Sequence, residues 1–267
     1  MCTVSLIARR NGYALAMNRD EKLSRVAGLP PARQTVAGHA ALSPSEPGGG
    51  TWIALNDFGV TLALINWYSV PGQTRRGNVS RGSVIRGAQT AGSADEVAHA
   101  LRALPLRRIN PFRLIGVFPG SREVWEWRWN LKQLKAHRHP WRMGQWVSSG
   151  WDEPAAQRIR GRVFRQARRK KSAGTLAWLR RLHRSHVPGC GAGSICMHRA
   201  DAATVSYTEV VLTFTHARMR HHQGAPCVSG RLSTLQLPAS RSGTNGQRRQ
   251  SPGATAVRRR SVPAAVR

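Results

Sequence analysis

Acidic residues are scarce in this 267-residue chain: Asp and Glu number 12 against 42 Lys and Arg, a formal net charge of +30. Lysine is scarce as well, with only Lys22, Lys132, Lys135, Lys170 and Lys171, so nearly all of the positive charge is arginine. The arginines are scattered over the chain rather than gathered into one stripe. That reads first as a compositional bias and second as the footprint of a polyanion-binding protein. Either way, non-specific adhesion to nucleic acid is expected. No run of about 18 apolar residues exists, so no membrane-spanning helix is expected. The opening Met-Cys-Thr-Val-Ser-Leu-Ile has no basic n-region and no long apolar stretch. It does not read as a secretory signal, and a cytoplasmic location is expected.

Cysteine is limited to Cys2, Cys190, Cys196 and Cys227, too few in this length for a disulfide scaffold. Five residues separate Cys190 from Cys196, which is not the CxxC spacing of a zinc knuckle. His183, His186 and His198 lie nearby in sequence, but residues 194–198 read better as an apolar-flanked strand. Neither a metal nor another cofactor is expected.

What is present is a clear strand rhythm. Residues 3–9 and 13–20 read as two strands joined through Asn11-Gly12, residues that tolerate positive φ. Residues 51–56 and 60–66 repeat the theme around Asp57-Phe58-Gly59, after the permissive Gly48-Gly49-Gly50. Residues 81–90 and 94–104 look helical; Ser93 and Glu96 form a capping box, and Val97, Leu101 and Leu104 share a face. Strands are expected at 112–118 and 123–129. In the second, Trp125, Trp127 and Trp129 alternate with polar residues, which reads as core packing before it reads as a base-stacking platform. Helices are expected at 153–170 and 172–184, then strands at 194–198, 203–208 and 209–215. Hairpins rather than βαβ units imply an α+β fold with antiparallel sheets. From Val228 to Arg267 there is no acidic residue, and Ser, Gly, Pro, Arg and Gln dominate. A domain over 1–227 and a basic disordered tail over 228–267 are therefore expected.

Cys2 follows the initiator methionine. Trimming of Met1 would leave a free α-amine beside the thiol. The amine titrates near neutrality, at roughly pKa 7.7–8.0, so one residue would hold both a nucleophile and its base. The polar cluster Asn18-Arg19-Asp20-Glu21 ends an apolar strand, and hairpin pairing brings it beside Cys2. A guanidinium there favours thiolate, and a carboxylate can orient the ammonium.

The opening residues together with Asn18-Arg19-Asp20-Glu21 resemble the NRDE family, also called the transport-and-Golgi-organisation type. Similar blocks follow in order: Gly49-Gly50-Thr51-Trp52, Asn66-Trp67-Tyr68, Arg81-Gly82, Ser149-Gly150-Trp151-Asp152 and Cys196-Met197-His198-Arg199. The resemblance extends to N-terminal-nucleophile hydrolases of the choloylglycine hydrolase and penicillin V acylase type, and implies their four-layer αββα sandwich. It implies Cys2 as nucleophile, Arg19 and Asp20 beside it, and Asn66 as an oxyanion-hole donor. Asn18 and Arg162 are further candidates. The hydrolases separate their Arg and Asp, whereas Arg19 and Asp20 are adjacent. Adjacent strand residues point to opposite faces, so both can meet Cys2 only where the strand ends or bulges.

Three functions stay open. One is a cysteine hydrolase of linear, non-peptide amide bonds with a small-molecule amide or acyl ligand. Another is a non-catalytic binding or trafficking factor. The last is a basic protein that binds polyanions through its surface and tail.

Overall fold

The computed structural model describes residues 2–74 and 79–238. Strands β1 (Cys2–Arg9) and β2 (Gly12–Lys22) open it, followed by β3 (Leu29–Val36), β4 (His39–Ser45), β5 (Ile53–Asn56) and β6 (Thr61–Asn66). Two helices, α1 (Gly82–Ala88) and α2 (Ala94–Arg102), precede β7 (Phe112–Phe118), β8 (Glu123–Trp129), β9 (Leu134–His139) and β10 (Gly144–Ser148). Then come α3 (Glu153–Arg168), α4 (Leu176–His183), β11 (Ala202–Leu212), β12 (His216–Gln223) and β13 (Leu232–Pro238).

The strands form two sheets. One runs β10-β1-β2-β11-β12-β13 and the other runs β3 to β9 in chain order, and all pairs are antiparallel. Period-two alternation explains why each sheet is covered twice. Cys2, Val4, Leu6, Leu15 and Met17 point to the other sheet and join Leu42, Ile53, Ile115 and Val117 in a shared core. Ile7, Ala14 and Ala16 point the other way, onto Phe164 of α3 and Trp178, Leu179 and Leu182 of α4. On the second sheet, Leu62, Leu64, Leu114, Trp127 and Trp129 meet Val84 and Ile85 of α1 and Val97 and Leu101 of α2. The result is the αββα sandwich that the resemblance implied. Trp127 and Trp129 are buried in that outer core, so the aromatic face of β8 packs rather than stacks on a ligand.

Ser93 caps α2 as expected, its Oγ accepting from Glu96 N at 3.2 Å, while the Glu96 carboxylate reaches back to Gly92 N at 2.8 Å. Several expectations shift. The first turn is Arg10-Asn11, because Arg9 pairs with Gly12. Gly12 sits at φ +121°, and a Cβ there would run into the carbonyl of Leu212. The expected strands 203–208 and 209–215 are one strand, β11, with a bulge between Thr204 and Ser206. Residues 194–198 are no strand; His198 makes a lone bridge to Ala203. The ordered domain also runs past the expected boundary at 227, because β13 pairs with β12 from His216↔Pro238 to His222↔Leu232. The remainder of the expected tail, 239–267, lies outside the described residues.

His221 on β12 is buried, with Nδ1 2.9 Å from Thr208 Oγ1. Burial first, then His222 and Arg19, bring its pKa down to about 4. The folded state thus holds it neutral, while the unfolded chain protonates it near pH 6.5. Its contribution is fully present above about pH 6.5 and is lost as pH falls toward 4. Urea unfolding at pH 7 and pH 5 is expected to show a loss of about 2 kcal/mol from this group. His221→Asn should remove that part of the pH dependence.

Candidate active site around Cys2

The β1–β2 hairpin sets Cys2 opposite Arg19, and the β1–β10 pairing sets it opposite Ser148. Cys2 is buried and lines a cavity of about 370 Å3 between the two sheets, which Arg19, Glu21, Arg25, Glu46, Trp52, Asn66 and Arg81 also help to line. Arg19 does face this cavity. Its guanidinium carbon lies 4.4 Å from the Trp52 ring centroid, and Nη2 donates to Glu46 at 2.7 Å and to Glu21 at 3.3 Å. Arg25 bridges the same two carboxylates at 2.8 and 2.9 Å. Two arginines and two glutamates therefore neutralise each other along one wall. Asn66, at the end of β6, also lines the cavity; its Nδ2 donates to Tyr68 Oη at 2.7 Å.

Strand alternation sends the neighbours of Arg19 to the opposite face. Asn18 does not enter the cavity lining. Its Nδ2 donates to the carbonyls of His183 and Ile195 at 3.0 and 2.9 Å, and its Oδ1 lies 2.9 Å from His183 Nδ1. Because Nδ2 is the donor, Oδ1 accepts, which fixes the proton of His183 on Nδ1. Burial, helped by Arg160, brings the His183 pKa down to about 3, so the ring is neutral. Asp20 borders the cavity, but its carboxylate is engaged beneath it: Oδ2 accepts from Arg160 Nη1 at 3.1 Å and Oδ1 from Thr204 Oγ1 at 2.7 Å. Arg160 also donates to Thr3 Oγ1 at 2.7 Å and to the carbonyl of Ala192 at 3.1 Å. The β11 bulge faces Arg19 and Asp20, yet β2 itself continues to Lys22 without reversing this alternation.

Arg162 is a correction. It is exposed on α3 and takes no part in the cavity. Two positions along a helix differ by roughly 200°, so the neighbouring Arg160 occupies the inward face instead. Ala156, Arg160 and Phe164, all buried, mark that face at a spacing of four. That spacing was the one signal in the sequence that singled out Arg160. Glu46, which anchors Arg19 and Arg25, carried no such signal, since it lies in a turn after β4.

Two glycine blocks meet at the cavity rim. Gly82 opens α1 directly against Gly50 and Thr51; a Cβ at Gly82 would lie 2.6 Å from Gly50 Cα and 2.7 Å from Thr51 N. Thr51 N donates to the carbonyl of Gly82 at 3.4 Å. Further out, Glu153 at the start of α3 accepts from the backbone and hydroxyl of Ser69 at 2.7 and 2.5 Å, which ties α3 to the loop after β6.

Electrostatically the site holds opposed tendencies. Burial pushes the Cys2 thiol up, and Asp20 adds to that rise, while Arg19 and the backbone N–H of Asp20 pull it back in part. Burial also works against the Glu21 carboxylate, but the Lys22 N–H, Arg19 and Arg25 outweigh it and hold the group below its ordinary range. Burial lowers the Arg81 guanidinium. The described cavity lining contains one thiol and no imidazole, and its carboxylates Asp20, Glu21 and Glu46 are each paired with arginine. That donor set favours a polar organic ligand over a metal ion.

The family model described as Transport and Golgi organisation 2 matches residues 1–135, just over half of the chain. The chain belongs to this family. No curated protein matches it. Among solved structures, penicillin V acylase from Agrobacterium tumefaciens superposes with a TM-score of 0.59 at 10% identity, covering 89% of this chain and 86% of that one. A mutant conjugated bile acid hydrolase from Clostridium perfringens gives a TM-score of 0.52 at 10% identity, covering 88% and 96%. These likenesses establish the fold of this Transport and Golgi organisation 2 family member as that of N-terminal-nucleophile hydrolases. The segment matched by the family model contains Cys2, the 18–21 cluster, the Gly50 and Gly82 contact, and Asn66.

Two substitutions check the architecture of the site. Arg160→Ala would remove the fully buried guanidinium that pairs with the Asp20 carboxylate, a loss of about 3–5 kcal/mol. Gly82→Ala would drive a methyl into backbone atoms that cannot rotate away, at a cost of about 1–3 kcal/mol. Thermal unfolding should show both, with the arginine variant the worse of the two.

Proposed function

We propose that the protein is a cysteine N-terminal-nucleophile hydrolase acting on linear, non-peptide amides. One observation carries the reading: the buried Cys2 lines a cavity together with Arg19, Arg25, Arg81 and Asn66, in a fold shared with an acylase and a hydrolase. Removal of Met1 would make Cys2 terminal. Its α-amine would take the thiol proton as sulfur adds to the amide carbonyl. Asn66, turned from Tyr68 toward the cavity, would donate to the oxyanion with a backbone N–H. The C–N bond then breaks, and the proton held by the amine passes to the leaving nitrogen. Water, deprotonated by the same amine, hydrolyses the thioester and regenerates the thiol. Arg19 supports this role by lowering the cost of thiolate beside it. Asp20 and Asn18 act from the far face of the sheet, as residues that position β1 and β2.

A second reading, a non-catalytic binding factor, is favoured by the burial that raises the Cys2 thiol. The two readings differ in what the thiol does. Intact mass and N-terminal peptide mapping after iodoacetamide treatment at pH 6 and pH 8 separate them. The hydrolase reading expects Met1 to be absent and Cys2 to label faster than the exposed Cys190, with much of that rate kept at pH 6. Retention of Met1, or labelling slower than Cys190 at both pH values, would reject it in favour of the binding factor.

A further inference from the structure

Away from the Cys2 cavity, four residues from separate parts of the chain converge. His186 follows the end of α4, Cys196 and His198 lie in the loop before β11, and Cys227 lies in the turn between β12 and β13. One ligand atom from each falls within 4.8 Å of all the others. Cys196 Sγ is 3.5 Å from Cys227 Sγ and 3.6 Å from His198 Nε2, and His198 Nε2 is 3.2 Å from Cys227 Sγ. Around a tetrahedral zinc ion, with Zn–S near 2.3 Å and Zn–N near 2.0–2.1 Å, ligand atoms stand about 3.3–3.8 Å apart. These three separations fall in or close to that range.

The fourth member adds an independent observation. His186 Nε2 is buried and has no hydrogen-bond partner among the described residues, and its ring meets that of His198 edge to face at 5.1 Å. A buried imidazole nitrogen without a donor or acceptor is costly, and a cation bound through it would satisfy it. A Cys196–Cys227 disulfide would join the sulfurs but would leave that nitrogen unsatisfied. Two thiolates and two imidazoles in a closed tetrahedron suit zinc better than a hard cation, which prefers oxygen.

We propose that His186, Cys196, His198 and Cys227 bind a structural zinc ion. The site would clamp the loop between α4 and β11 to the β12–β13 turn. That loop supplies the partners of the residues beneath Cys2. Ile195 accepts from Asn18, Ala192 accepts from Arg160, and Met197 N donates at 2.9 Å to Thr204 Oγ1, which itself donates to Asp20. The ion would therefore hold the underside of the β1–β2 hairpin in register without entering the cavity.

The test uses the full chain, free of any affinity tag, purified under reducing conditions without chelator. Elemental mass spectrometry is expected to find about one zinc per chain, kept in Cys190→Ser and reduced at least tenfold in the double variant Cys196→Ser, Cys227→Ser. Because that variant can fail to fold, the unaltered chain is also treated with chelator and then with cobalt(II). Tetrahedral d–d bands and a thiolate-to-cobalt charge-transfer band, abolished by subsequent zinc, are expected. Zinc should also protect Cys196 and Cys227, but not Cys190, from alkylation. A chain that carries less than about a tenth of an equivalent of zinc and gives no charge-transfer band with cobalt would overturn the proposal. So would a Cys196–Cys227 disulfide in the reduced preparation.

Discussion

A β-strand can show a cleft only every second side chain, and the site of this protein is organised around that limit. At the end of β2, Arg19 takes the cleft face, while Asn18 and Asp20 take the helix face. The consecutive polar cluster is therefore two structures back to back. Arg19 and Glu21 belong to a charge network at the cavity wall. Asn18 and Asp20 anchor the strand to α3, α4 and the loop that follows them. Most strongly, Asp20 is locked in a fully buried ion pair with Arg160. Such a pair contributes less to stability than it costs to break, so it serves as a constraint on register more than as a source of free energy.

The two-sided use of β2 also explains how far the chain could be read in advance. Strands with an apolar face, β1, β2, β5, β6, β7 and β8, stand out in the sequence because their alternation places Val, Leu, Ile and Trp in a core. Those that were missed carry weaker patterns. β3 has two consecutive prolines and β9 is mostly Lys, Arg and His, and both lie at edges of the second sheet, where little of a strand need be apolar. β12 alternates Ala, Met and His inward with His and Arg outward, so polarity hides its period. β13 follows a long turn in a segment whose composition resembles a disordered tail.

The same reasoning separates the legible from the illegible parts of the site. Cys2, Arg19 and Asn66 meet at one cavity because hairpin pairing and strand ends are local rules. The positions of Asp20 and Asn18 followed from alternation once β2 was known not to end at residue 20. Arg160 required the inward face of α3 to be found among many arginines. The convergence of His186, Cys196, His198 and Cys227 was hidden for another reason. Their spacing fits no short motif, and only the antiparallel return of β12 beside β11 carries Cys227 back to the other three.

Arg19, Glu21, Arg25 and Trp52 have a second neighbour. They also line an adjoining cavity of about 190 Å3, whose far side is formed by residues such as Val205, Ser206 and His221. These four residues are thus shared by the two spaces. Among them the Arg19 guanidinium stacks on the Trp52 indole and is held in place by two carboxylates and a second arginine. The depth of the compartment that opens onto Cys2 is therefore a property of rotamers and charge pairing. Related chains could lengthen or close it by exchanging these few side chains, while every hydrogen bond of both sheets stayed where it is.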